Sequence, residues 1–335
     1  MHLPNAQRSL VVAVYTGLAL LVGTGAQAQG RDSAASSFFT LQEENSTIST
    51  SGLKDRYYTN GLRAAYVSPE SADSMLSNIA DTLWGDRNVR VAFDVTQQIY
   101  TPYATHYPIP PAGDEPYAGV LLANLAAVQD AMNTRSSVGL NLGVVGPSAY
   151  GEQIQNGFHD LIGQGHNQGW ATQLHDEPVF AVNAARVWRY GLTDMGGLEA
   201  DMLPALGVTA GTLRSAAEGG VTLRIGHGLQ RDFGPSRIRA LSGGDVFSAG
   251  GELGWYAFAG VKAGAVLNDI TLNGNDFQRS PGVSIQPLVG EVNFGVVVLG
   301  DGFRVSYMQV VQSQTFKTQK GGAHEVGSLA LTVLF

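Results

Sequence analysis

The sequence predicts an all-β fold, a transmembrane antiparallel β-barrel of about 12 strands with short helices in an extracellular loop and a periplasmic turn. Three features carry that prediction. Apolar and polar residues alternate with period two from end to end, the mark of strands with two unlike faces. An export-type leader stands at the front, and the chain stops on an aromatic, Phe335, in the apolar phase. Alternation alone fits a water-soluble sandwich equally well, because an apolar face can turn to a core or to lipid. The polar phase favours the barrel. It is rich in Gly, Ser, Thr, Asn and Arg, as a wet lumen requires, and the terminal aromatic resembles an outer-membrane insertion signal.

The leader has one positive charge at Arg8, an apolar stretch from Leu10 to about Val22, and the small-x-small site Ala26-Gln27-Ala28. A membrane-spanning helix needs roughly 20 apolar residues, so 1–28 reads as a signal peptide and 29–335 as the barrel. No later run is apolar and uncharged for that length. Cysteine is absent, so hydrogen bonding and burial must hold an exported chain that has no disulfides. The formal charge is −8, and loss of Arg8 with the leader makes it −9. An acidic chain lacks the basic footprint that nucleic acid requires. Nothing in the sequence points to an obligate protein partner.

In chain order, strands are expected near 36–45, 57–67, 89–99, 117–131, 136–146, 178–190, 198–211, 219–228, 253–267, 286–298, 302–313 and 325–335. Typical are Val89, Val91, Phe93 and Val95 against Arg90, Ala92, Asp94 and Thr96, and Val138, Leu140, Leu142 and Val144 against Ser137, Gly139, Asn141 and Gly143. The pattern is least regular over 229–285, where Gly234-Pro235 and Gly243-Gly244 interrupt it. Residues 71–84 have Met75, Leu76, Ile79 and Leu83 at helical spacing, an amphipathic helix on the periplasmic side. The connection 147–177 is the longest between clear strands, and Ile154, Phe158, Leu161 and Ile162 place a helix within it.

Counting strands sorts the connections onto two rims. If the first strand rises from the periplasm, 46–56, 100–116 and 147–177 share the outer rim, and Asn45, Thr59 and His159 meet there. Along the second strand Tyr57, Thr59, Gly61 and Arg63 take the lumen phase. Tyr58, Leu62 and Tyr66 take the lipid phase, with Tyr58 expected in the aromatic girdle. Of 7 histidines, His2 leaves with the leader, and His106, His166, His175, His227 and His324 sit in no motif. His159 differs in that Gln155 precedes it by four residues and shares its face on a helix. Spacing alone leaves it either a catalytic or a plain loop histidine. No GxSxG elbow, cysteine nucleophile, HExxH pair or phosphate loop is present. Asp114-Glu115 and Asp176-Glu177 read as solvated loop charges.

Several of these stretches together resemble the outer-membrane lipid A 3′-O-deacylases of LpxR type. They are Glu44-Asn45, Asp55 to Leu62 (DRYYTNGL), Gln98 to Pro102 (QIYTP), Pro116 to Gly119 (PYAG), Gly143 to Pro147 (GVVGP), Gln155-Asn156 through His159, Gly169-Trp170 with Gln173, and Glu177-Pro178. They fall in order across 44–178, while the C-terminal half matches only as barrel strands. The resemblance implies a twelve-stranded outer-membrane barrel that removes an ester-linked acyl group from lipid A of the outer leaflet. It implies His159 as general base on water, Asn45, Thr59 and Gln155 as active-site positions, and calcium held at Asn45 and Ser46. Three departures stand out. Ser46 replaces the family's Asp, with Glu44 or Asp55 as the carboxylates that could compensate. Asp114-Glu115-Pro116 replaces Asp-Arg-Pro, and no lysine lies between Lys54 and Lys262. Two other functions fit the same architecture: a barrel that binds lipopolysaccharide or is structural without hydrolysing anything, and a narrow pore.

Overall fold

The computed structural model describes residues 33–49, 56–72, 75–85, 88–235, 237–238, 245–250 and 252–335, and the structural statements below concern these; the expected leader lies outside them. Thirteen strand segments form one antiparallel sheet. Two of them are a single strand, β6, which runs Glu177–Trp188 and resumes as Tyr190–Met195 beyond Arg189, both pieces pairing with the same neighbour. The barrel therefore has twelve strands. The others are β1 (Phe38–Asn45), β2 (Tyr57–Val67), β3 (Arg90–Thr101), β4 (Ala118–Ala131), β5 (Thr134–Val145), β7 (Leu198–Gly211), β8 (Arg214–His227), β9 (Gly254–Asp269), β10 (Leu288–Leu299), β11 (Phe303–Gln312) and β12 (His324–Leu334). Each pairs with its sequence neighbours. β1 pairs with β12 from Phe38 opposite Leu334 to Asn45 opposite Gly327, which closes the cylinder. Among the described residues no helix is long and apolar enough to cross a membrane.

The two phases separate as the alternation requires. Phe93, Leu125, Leu142, Phe180, Leu223 and Phe294 are exposed on the outer wall and form the lipid-facing band. The inner phase is polar and hydrogen-bonded across strands. The hydroxyls of Thr40 and Thr332 meet at 2.9 Å, Gln42 donates to Ser328 at 3.0 Å, and Arg63 donates to Gln42 at 3.0 Å. Amides pass hydrogen bonds from Asn183 to Asn141, to Asn124, and on to Asp94, from β6 round to β3.

Connections at the end where β1 begins and β12 ends are mostly tight: 132–133, 196–197 and 300–302. At the far end most are long: 46–56, 102–117, 146–176, 270–287 and 313–323. Short periplasmic turns and long extracellular loops make the far end the outer rim. Helix α1 (Met75–Trp84) lies in the β2–β3 connection at the inner rim, and α2 (Gly151–Ile162) lies in the β5–β6 connection at the outer one. Both occupy the stretches where helical spacing places them.

One expectation along β2 fails. Leu62 and Tyr66 are 42% and 40% exposed, but Tyr58 is only 3% exposed and packs on Tyr100 at 5.4 Å between ring centroids. The register slips between Tyr58 and Asn60, so Thr59 forms a bulge. One extra residue reverses the phase beyond it, which turns Tyr58 inward instead of into the girdle.

The irregular stretch resolves into one long strand, β9, preceded by a connection, 228–253, whose described parts turn back into the lumen. Phe247 packs edge-on against Phe38 at 5.4 Å, and Leu229 and Val246 join the same apolar cluster in the lower barrel. Asp232 is the polar anchor. Its carboxylate accepts from Arg224 at 2.6 Å, Arg304 at 2.8 Å and the Tyr256 hydroxyl at 2.7 Å. Arg63 pairs with Asp245, and Arg237 joins Glu44 to Glu291. Burial alone would raise the Asp232 carboxyl, but Arg304 and Arg224 outweigh it and hold the group down at about 2. A depressed carboxyl stabilises the fold above the ordinary carboxylate range, and that contribution is lost as pH falls through the depressed value. The inward segment opposes the narrow-pore reading, because it fills the lower lumen.

Asp232→Ala leaves the buried Arg304 guanidinium without its carboxylate and removes one of the two carboxylates that face Arg224, a change that costs about 3–5 kcal/mol where one partner of a buried pair is removed. The variant should lose its heat-modifiable electrophoretic form at a lower temperature than the parent. In planar bilayers it should show intermittent conductance where the parent stays closed.

Candidate functional site

β1 ends at the outer rim in Glu44-Asn45-Ser46. Asn45 has extended backbone and caps the 3-10 turn Ser46–Ile48, its Oδ1 accepting from Thr47 N–H at 2.7 Å. Ser46 is fully buried, and its Oγ has no hydrogen-bond partner among the described residues. The Glu44 carboxylate is engaged from inside the barrel by Ile238 N–H at 3.0 Å and Arg237 at 3.3 Å. Across the first connection, the Thr59 bulge turns its hydroxyl to the Thr101 hydroxyl at 2.7 Å, joining β2 to the end of β3.

Helix α2 is fastened onto this rim by close packing. Gly119 of β4 and Gly151 of α2 touch backbone to backbone: a Cβ on Gly119 would meet Gly151 N at 3.0 Å, and one on Gly151 would meet the Trp170 ring at 2.7 Å. Trp170 is buried against Tyr117 at 4.9 Å, with Ile99 and Ile154 around it. Its indole N–H donates to Gln155 Oε1 at 2.9 Å. Gly163, at φ 70°, ends the helix in the left-handed region that glycine favours. The chain then doubles back so that His159 Nδ1 lies 2.9 Å from the Gly165 carbonyl.

The strand count thus holds for placement: Asn45, Ser46, Thr59, Gln155 and His159 all stand at the outer end. Thr59 reaches the top of β3, against which α2 packs. Gln155 is committed to Trp170 and so fixes the helix that carries His159.

Of the acidic pairs, Asp176 is exposed as expected and Asp114 half-buried, whereas Glu115 and Glu177 are buried and not solvated, and the pairs fasten loops. Asp114 accepts from the backbone N–H groups of Tyr103, Ala104 and Glu115, and Asp176 takes both N–H and hydroxyl of Ser148 at 2.8 Å. Buried Glu177 accepts from Asn275 and Asp276 and ties the β5–β6 connection to the β9–β10 connection. Sequence reading missed Arg237, whose partner Glu44 is 193 positions away. The only local signal was a set of charged residues beside Gly234-Pro235.

A calcium ion takes 6–8 oxygens, carboxylates above all. The described donors do not fit that demand. Asn45 Oδ1 already caps a turn, Ser46 offers a hydroxyl, and Glu44 belongs to Arg237. Among the described residues no three His, Cys, Asp or Glu side chains gather as a metal cluster, and Asp55 lies outside them.

Compared with known proteins, residues 10–335 match the family model described as outer membrane protein LpxR. The chain belongs to the LpxR family. LpxR from Salmonella typhimurium superposes on it with a TM-score of 0.75 at 20% sequence identity, covering 89% of this chain and 100% of that one. The β domain of the Bordetella autotransporter BrkA gives a TM-score of 0.44 at 13% identity, over 90% and 98% of the two chains. No curated protein sequence matches. LpxR-family membership agrees with the twelve-stranded closed barrel and places the protein in the outer membrane.

Trp170→Phe keeps an aromatic ring but removes the indole donor and part of the buried volume, leaving Gln155 Oε1 buried without that partner at a cost of about 1–3 kcal/mol besides the lost packing. The connection 146–176 should then be cut faster by protease added to whole cells, with the barrel's heat-modifiable mobility unchanged.

Proposed function

We propose that this chain hydrolyses an ester-linked acyl chain of lipid A at the outer rim, with His159 as general base on water. The hydrogen bond between His159 Nδ1 and the Gly165 carbonyl is the observation that carries the reading. A carbonyl oxygen only accepts, so Nδ1 holds the proton and the lone pair lies on Nε2. One nitrogen is thereby made a base while the other orients the ring, the arrangement that proton abstraction from water needs.

Water gives a proton to Nε2 as its oxygen attacks the acyl carbonyl carbon. The imidazolium returns that proton to the sugar oxygen as the ester bond between carbonyl carbon and sugar oxygen breaks. The products are a fatty acid and a sugar hydroxyl. Asn45 and Thr59, polar groups of the same rim, are assigned to the developing oxyanion, where a positioned donor is worth most because little water competes. Gln155 and Trp170 act on the helix and not on the ester. The rim suits a substrate whose ester lies at head-group depth in the outer leaflet, and lipopolysaccharide is the partner this implies. No step is routed through calcium, because the described donors do not make a hard-cation cradle.

His159→Ala and His159→Asn should lower acyl release by about 10²–10⁴-fold, the usual worth of a positioned base, while the barrel keeps its heat-modifiable mobility. Mass spectrometry of lipid A incubated with the purified variants reads this directly, and release at the parental rate would end the assignment. Ser46, where the resemblance expects a carboxylate, favours one other reading, a barrel that binds lipopolysaccharide without cutting it. Unchanged lipid A masses with the parent protein would select that reading. Acyl release is expected to persist after exhaustive chelation; loss on chelation with recovery on added calcium would overturn the metal-free mechanism.

A further inference from the structure

Helix α1 is divided lengthwise into three strips. At about 100° per residue, Ser77, Ala80 and Trp84 share one strip. Ser77 and Ala80 are fully buried against the end of the barrel and Trp84 is half-buried. Ser77 donates its hydroxyl to the Ser71 carbonyl at 3.0 Å, and Ser71 in turn bridges Val89 at the foot of β3. One flank of that strip carries Met75, Ile79 and Leu83, exposed to 77%, 39% and 55%. The opposite flank carries Asn78, Asp81 and Thr82, all exposed. A helix resting on a barrel in plain water gains nothing from setting its apolar and polar residues on opposite flanks. A helix lying along a boundary between hydrocarbon and water does.

Continuity with the wall identifies what covers the apolar flank. α1 sits in the β2–β3 connection, and the exposed residues of those strands toward this end are Tyr66 and Phe93. The Tyr66 hydroxyl bonds to Ser37 at 3.1 Å, and its ring lies 6.4 Å from that of Phe335, so an aromatic girdle marks the inner edge of the lipid-facing band here. The apolar flank extends that band by one more element.

We propose that α1 lies in the head-group layer of the inner leaflet, with Met75, Ile79 and Leu83 in contact with phospholipid and Asn78, Asp81 and Thr82 in periplasmic water. α1 contains no basic residue and one acidic one, so its attachment is by apolar insertion and not by attraction to anionic head groups. The helix then fixes how deep the barrel rides, and with it the height of the opposite rim above the outer leaflet. This inference does not depend on the proposed catalysis.

The full chain has no cysteine, so single labels can be placed without background. Spin labels at Met75→Cys, Ile79→Cys and Leu83→Cys, and at Asn78→Cys and Thr82→Cys, would be read in vesicles of phosphatidylethanolamine with and without phosphatidylglycerol. The first three should collide more with oxygen than with a water-soluble nickel chelate, and the last two the reverse, whatever the phosphatidylglycerol content. A photo-crosslinking residue in place of Ile79 should capture phospholipid in the same vesicles, which covers the case of a label that disturbs the helix. Five sites equally open to nickel would overturn the proposal. So would an apolar flank shielded from both reagents, the result expected if a protein partner or a second copy covers it.

Discussion

Hydrocarbon offers backbone N–H and C=O groups nothing to bond, so a sheet that crosses it must close on itself. The pairing of β1 with β12 meets that demand, and the rest of the molecule follows from it. Once the sheet is a cylinder, each strand has one phase against lipid and one against the lumen. The lumen phase must be polar enough to be wet, or else have its groups satisfied within the protein. Both solutions are visible: hydroxyl and amide bonds pass round the wall, and a returning segment fills the lower interior.

That segment shows how a narrow cylinder handles charge. Arg224 and Arg304 are interior residues that could not remain buried alone. Asp232 faces both, and Asp201 holds the other edge of Arg224. Such networks contribute little net stability when weighed against apolar packing, but they strongly penalise misplacement, because any shift leaves a guanidinium without its carboxylate. Higher up, Arg237 performs the same service between Glu44 and Glu291, which steadies the end of β1 where Asn45 and Ser46 stand.

Much of this was legible in the sequence because period two is a local property. Strand positions, the two helices and the common rim of Asn45, Thr59 and His159 needed only alternation and counting. What escaped depends on partners far away in the chain or on a single inserted residue. Tyr58 reads as lipid-facing until the bulge at Thr59 reverses the phase. Glu177 looks solvated because sequence does not show which loop N–H groups lack a partner. Gly234-Pro235 interrupts the strand pattern, and nothing local says that the interruption turns inward. The His159 tautomer depends on where the carbonyl of Gly165 comes to rest, which follows from the left-handed turn at Gly163 and from no spacing rule.

The inward segment also bears on where the wall could part. The junction of β1 with β12 joins the first strand to the last, and the same short stretch grips strands on both sides of it. Arg237 reaches Glu44 on β1 and Glu291 on β10, Asp245 holds Arg63 on β2, and Asp232 holds Arg304 on β11. The junction is clasped from within. Parting the sheet at this junction would therefore mean unfastening buried ion pairs as well as ladder bonds, so of the two ways to open a cylinder, along its seam or at its mouth, the seam is the one that the interior holds shut.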